Sequence, residues 1–79
     1  MKIKVLGSGC KNCQVLAERA EEALNELGIE GEIIKVTELD EIIDLGVMMT
    51  PGLIVNDNIK STGKVPKTKE IVKFLQEEK

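Results

Sequence analysis

Histidine, tryptophan and tyrosine are absent from this chain, and Phe74 is its single aromatic residue. Without histidine, neither a Ser-His-Asp nor a Cys-His catalytic arrangement can form within one chain, and no His-ligated metal site is possible. With so few aromatics there is no stacking platform for single-stranded nucleic acid. The 11 basic residues are outnumbered by 14 acidic ones, so a net charge of −3 leaves no basic footprint for DNA or RNA. Long apolar runs are missing too. Leu53-Ile54-Val55 and Val47-Met48-Met49 fall far short of a membrane span. The stretch Met1 to Gly7 has neither the apolar segment nor the cleavage site of a secretory signal, so the expected compartment is the reducing cytosol. No repeat, linker or low-complexity tract interrupts the chain, so residues 1–79 are expected to form one domain, with monomer as the default state. Its core must be built from Ile, Val, Leu, Met and Ala.

Lys2 to Leu6 has Ile3 and Val5 on one face and reads as a short strand. Gly7-Ser8-Gly9 makes a turn, and a helix is predicted from about Cys10 to Leu27. Its stripe is Leu16, Ala20, Ala23, Leu24 and Leu27, spaced by three and four, and Gly28 suits its C-terminus. Glu32 to Val36 reads as a second strand, parallel to the first because a helix connects them. Thr37-Glu38-Leu39-Asp40 resembles a capping box, with Thr37 as N-cap, opening a short helix that turns Leu39, Ile42 and Ile43 inward and ends at Gly46. Gly52 to Asn56 and Ile59 to Gly63 read as a hairpin around Asn-Asp-Asn. A last helix runs from about Lys67 to Gln76 and buries Ile71, Val72, Phe74 and Leu75. The order is β-α-β-α-β-β-α, an α/β chain. Charges at Lys2, Lys4, Glu32 and Lys35 on its strands suggest that one sheet face is incompletely covered by a single short helix.

The chemistry is concentrated in Gly9-Cys10-Lys11-Asn12-Cys13. At the first turn of a helix, residues i and i+3 lie side by side, so the two sulfurs can close a disulfide with little backbone movement. Cys10 at the helix N-terminus meets unpaired N–H groups and the positive end of the dipole, which favour thiolate, and Lys11 adds a positive charge. Cys13, one turn further in, is expected to be more buried and less reactive. The division of labour follows: Cys10 attacks a partner disulfide and Cys13 resolves the mixed disulfide. Gly7 and Gly9 are expected to let the backbone turn sharply and a partner approach. A purely structural disulfide closing so short a loop would stabilise little. A structural zinc site would need four ligands where the chain offers two cysteines. The alternative from another class is a soft-metal module, with the same two thiolates holding Cu(I) for delivery. Metal-delivery domains with a cysteine after the first strand continue with a hairpin and finish on a strand, unlike the order here.

Cys10-Lys11-Asn12-Cys13 and Thr50-Pro51 within this order resemble the thioredoxin/glutaredoxin superfamily, and more narrowly its very short members, the redox-active disulfide proteins. Residues Val5 to Cys13, Gly46 to Pro51 and Gly63 to Pro66 carry the resemblance, which covers essentially the whole chain. It implies a thioredoxin-like four-stranded mixed sheet in the order second, first, third, fourth, its last two strands antiparallel, flanked by three helices. It also implies a thiol–disulfide oxidoreductase that needs no cofactor or metal, acts on protein disulfides and is recharged by a reductase. The chain departs from thioredoxin itself in having Gly9 before the first cysteine, Lys-Asn between the pair, and no carboxylate on the strand Lys2 to Leu6.

Pro51 before the third strand suits a strand start on its own chemistry. The resemblance implies a cis Thr50-Pro51 bond facing the cysteines, with the Thr50 backbone turned to pair with an extended segment of the partner. Gly63 is the candidate third wall of that groove, and Lys11 a candidate contact. Met48 and Met49 are expected as core filler, at least one packing inward, with an adaptable apolar rim beside the sulfurs as the functional reading.

Overall fold

A computed structural model describes residues 1–7 and 11–78. The elements are β1 (Lys2–Leu6), α1 (Lys11–Leu27), β2 (Glu32–Val36), α2 (Leu39–Asp44), β3 (Gly52–Val55), β4 (Asn58–Thr62) and α3 (Thr68–Glu77). The sheet order is β2-β1-β3-β4, with β1 parallel to β2 and antiparallel to β3, and β4 antiparallel to β3. This is the α/β, thioredoxin-like arrangement that the sequence implied. Among the described residues no helix is long and apolar enough to cross a membrane.

Alternation along the strands sends successive side chains to opposite faces, and the two faces are covered differently. Ile3, Val5, Leu53 and Val55 point to one side, where they pack with Leu16, Ala17, Ala20, Ala23 and Leu24 of α1 and Ile71 and Leu75 of α3. Val72 and Phe74 border this core and are only partly buried. Leu6, Val36 and Ile54 point the other way, to a smaller cluster closed by Ile42 and Val47. By the same alternation Lys2, Lys4 and Glu32 lie on this second side, which has only the six-residue α2 to cover it. Lys35 does not. It pairs with Val5 in the parallel register, and therefore lies on the face shared by α1 and α3.

The short helix corrects two expectations. Its N-cap is Glu38, with no side-chain cap bond, and Asp40 and Glu41 instead place negative charge in its first turn. Thr37 cannot cap it because it still follows the alternation of β2 and is carried to the α1 side. Ile42 is buried, but Leu39 and Ile43 are exposed at 67% and 52%. A helix this short offers one residue per turn to the sheet, so only the central one turns inward.

The hairpin turn is narrower than expected: Asn56 and Asp57 alone form it, both with positive φ (49° and 70°), and Asn58 already belongs to β4. Two such residues make the left-handed turn whose twist matches the strands. Asn56 also locks to β1, its Oδ1 accepting from the Lys2 N–H at 3.0 Å and its own N–H donating to the Lys2 carbonyl at 2.9 Å. In β4 the register slips: Ser61 faces Leu53 while Ile59 faces Ile54. Lys60 is the additional residue of this bulge, and its Nζ reaches Glu78 at 2.9 Å and Glu77 at 3.4 Å at the end of α3.

Candidate active site

Cys13 lies in the first turn of α1 and is buried, 6% exposed, against the end of β1. The burial expected from its position one turn into the helix is found. Ser8, Gly9 and Cys10 lie outside the described residues, and with them the expected thiolate at Cys10 and the pairing of the two sulfurs.

What holds Cys13 in place is Gly7. A methyl group on Gly7 would collide with Cys13 Sγ, lie 3.2 Å from its Cβ, and come within 4.0 Å of the Thr50 Cβ. The sulfur thus occupies the space that any larger residue at position 7 would fill. The chain bends at Gly7 as expected, and since its φ is not in the left-handed region it is the close approach of the sulfur that requires a glycine there. Its N–H donates to the Val36 carbonyl at 2.9 Å, extending the β1–β2 ladder to the edge of the site.

Thr50 borders Gly7 as well, and the Thr50-Pro51 bond is cis, as the resemblance implied. Pro51 is buried while Thr50 is exposed. Gly63 also arrives here: its N–H donates to the Pro51 carbonyl at 2.9 Å. Its φ is +72°, and a Cβ at that position would lie 3.0 Å from Met49 Cε. The structure therefore brings Cys13 and Thr50 to Gly7, and Gly63 to Pro51, whose carbonyl already engages the Gly63 amide. Lys11, the first residue of α1, is exposed.

Met48 and Met49 correct the expectation that one of them fills the core. They are exposed at 87% and 62%. Val47 alone of this run turns into the second cluster, and the chain must then reach the edge of β3 through Thr50 and Pro51, which leaves both methionines on the outside.

Two supports escaped the sequence reading because both residues sit on the polar side of the α1 stripe. The Arg19 guanidinium donates to the carbonyls of Pro66 (3.2 Å) and Val65 (3.4 Å), tying the segment after Gly63 to the site's helix. The Thr68 hydroxyl donates to the Glu22 carboxylate at 3.1 Å. No local pattern marks either, since each partner lies more than forty residues away in sequence.

A cavity of about 90 Å3 adjoins Cys13, lined by Val5, Gly7, Gln14, Lys35 and Thr37. Among the described residues no cluster of three or more Cys, Asp or Glu side chains is arranged to hold a metal.

A family model described as a thioredoxin domain matches residues 1–76. A thioredoxin of Methanothermobacter thermautotrophicus is 45% identical over 75 residues, spanning 95% of this chain and 97% of that protein. A thioredoxin of Methanocaldococcus jannaschii is 40% identical over 74 residues, spanning 94% of this chain and 85% of that one. With the sheet order, the buried cysteine and the cis Thr50-Pro51 bond already in place, these matches establish that the chain belongs to the thioredoxin family of thiol–disulfide oxidoreductases.

Proposed function

We propose that this protein reduces or exchanges protein disulfides through Cys10 and Cys13, with Cys10 as nucleophile and Cys13 as the resolving thiol. The observation that carries the assignment of Cys13 is its burial against Gly7. Burial shields the Cys13 thiol from an incoming disulfide, while the three-residue spacing of the cysteine pair is the one that brings side chains together at the first turn of a helix. Cys10 thiolate attacks one sulfur of the partner disulfide, forms a mixed disulfide, and expels the other partner sulfur as a thiolate. Cys13 then attacks Cys10, closes the intramolecular disulfide, and releases the reduced partner. Two electrons pass to the partner, and a reductase returns them.

Thr50, cis to Pro51 and exposed, offers backbone to an extended partner segment, and Gly63, with Met49 packed where its side chain would stand, forms the third wall of that groove. Lys11, exposed at the helix start, adds positive charge near the entering disulfide. The reading has residues 1–79 act as one domain, as a monomer, in a reducing cytosol where the dithiol form predominates.

The test is turnover of a model protein disulfide in dithiothreitol or glutathione buffers. Cys10→Ser should abolish turnover, and Cys13→Ser should accumulate mixed disulfides visible by mass. A wild-type protein that exchanges nothing under these buffers, yet binds Cu(I) tightly, would overturn the proposal.

A further inference from the structure

Met48 and Met49 stand next to each other on the loop that leads to Pro51, and both are open to solvent, at 87% and 62% exposure. They differ in what they touch. The three atoms nearest to where a Gly63 side chain would stand all belong to Met49: Cε at 3.0 Å, Cβ at 3.3 Å and Sδ at 3.4 Å. Met49 therefore covers Gly63 with its thioether while staying within reach of dissolved oxidants. Resting on the exchange reading above, we propose that Met49 is a site of oxidation by peroxide, and that its sulfoxide weakens docking of the partner segment in the groove beside Gly63.

The chemistry is that of a thioether meeting hydrogen peroxide. A sulfur lone pair takes one peroxide oxygen, so the S–O bond forms as the O–O bond breaks. Sulfur gives up two electrons and the peroxide is reduced. The proton of the transferred hydroxyl passes through solvent to the departing hydroxide, which leaves as water. An adaptable apolar side chain becomes a polar one whose oxygen accepts hydrogen bonds. The surface beneath offers that oxygen nothing. The Gly63 N–H is committed to the Pro51 carbonyl at 2.9 Å, and a glycine has no side chain to supply another donor. The sulfoxide oxygen is left facing water from the groove wall, where an entering apolar segment would have to strip it of its hydration. Met48 meets the same oxidant one residue away but is not among the atoms nearest to Gly63, so its sulfoxide leaves the wall unchanged. Met1, partly buried against the main core, is the slowest of the three to react. The mark persists until a methionine sulfoxide reductase removes it.

To test this, hydrogen peroxide is applied to the disulfide form, in which Cys10 and Cys13 are spared, and is removed with catalase before dithiothreitol restores the dithiol. Tandem mass spectrometry should find one added oxygen on Met48 and one on Met49, with Met1 lagging. The amide resonance of Gly63 should move on treatment in the wild type and in Met48→Leu, and should not respond in Met49→Leu. Reduction of a model protein disulfide is then compared with each protein's own untreated rate. It should fall about threefold to tenfold in the wild type and in Met48→Leu, while Met49→Leu keeps its untreated rate. Three results overturn this inference while leaving the exchange reading standing: equal losses in all three proteins, an undiminished wild-type rate with Met49 fully oxidised, or a Met49 that peroxide leaves unmodified. An untreated wild type that exchanges nothing overturns both.

Discussion

The two faces of the sheet solve the same problem with unequal means. On one, α1 and α3 cover Ile3, Val5, Leu53 and Val55 completely, and the small residues Ala17, Ala20 and Ala23 let the long helix lie close. On the other, a helix of six residues contributes Ile42 alone, Lys4 shares the face with Leu6, and Leu39 and Ile43 stay in water. The site belongs to the first face. Its buried thiol hangs from the well-packed helix, while the exposed methionines and Thr50 come from the loop that follows the poorly packed one. Rigid support and accessible surface are thereby drawn from different halves of the molecule, which is how a reactive group can be held still while its surroundings remain open.

That contrast can be broken most directly in the core. Leu16→Ala, on the covered face, should cost about 3–5 kcal/mol, and Ile42→Ala under the short helix about 2–3 kcal/mol, because an open rim collapses more readily around a cavity. Urea denaturation midpoints measure both, and equal losses would refute the asymmetry. Gly7→Ala comes next. Its methyl group must displace Cys13, so about 1–3 kcal/mol of stability should be lost together with the rate of the resolving step. Gly28→Ala serves as control: its Cβ meets nothing within 4 Å but its φ is +64°, so about 1 kcal/mol should be lost with exchange kinetics unaltered.

Ser61 is a flaw in the covered face. It is 5% exposed, and its hydroxyl has no hydrogen-bond partner among the described residues. Ser61→Ala should therefore be neutral or raise stability by up to about 1 kcal/mol in the same denaturation assay. Leu39→Gln and Ile43→Gln on the open face should stay within about 0.5 kcal/mol of the parent.

The smallest effect is expected at the margin of the covered face, where the bulged Lys60 meets the end of α3. The hydrogen bond from Lys60, and then that from Asn58, hold the Glu78 carboxyl below its usual 4.5. The hydrogen bond to Glu78 is the main reason that Lys60 lies above its usual 10.5. A lowered carboxyl stabilises the fold fully above pH 4.5 and loses that contribution as pH falls through its folded-state value. A raised ammonium contributes fully below pH 10.5 and fades as pH rises through its own. Lys60→Met should flatten the stability curve slightly at both extremes, and a profile identical to the parent would remove the pair from consideration.

Much of the architecture was legible because period and punctuation agree. The α1 stripe, the Lys2–Leu6 alternation and the glycine after Leu27 all lie within one element or next to it, so local spacing reports them directly. Legibility failed where the outcome depends on a distant neighbour. Thr37 resembles a cap until the strand before it is known to run on the α1 side. The methionines resemble core until the path from Val47 to Pro51 is known. Lys35 resembles one more charge of the open face until the parallel register sets it beside Val5, on the α1 side.

The chain's own order of residues determined the element sequence, the aliphatic core and the placement of a cysteine pair at a strand-to-helix junction, because those follow from periodicity and from helix-end chemistry within a few residues. Only tertiary structure decided that Gly7 must be vacant for a sulfur, that Lys60 would bulge so that Ser61 and Ile59 face opposite sides, and that the Gly63 amide would meet the Pro51 carbonyl. Each of those depends on two segments meeting at a particular register, and register is a property of the pair rather than of either strand.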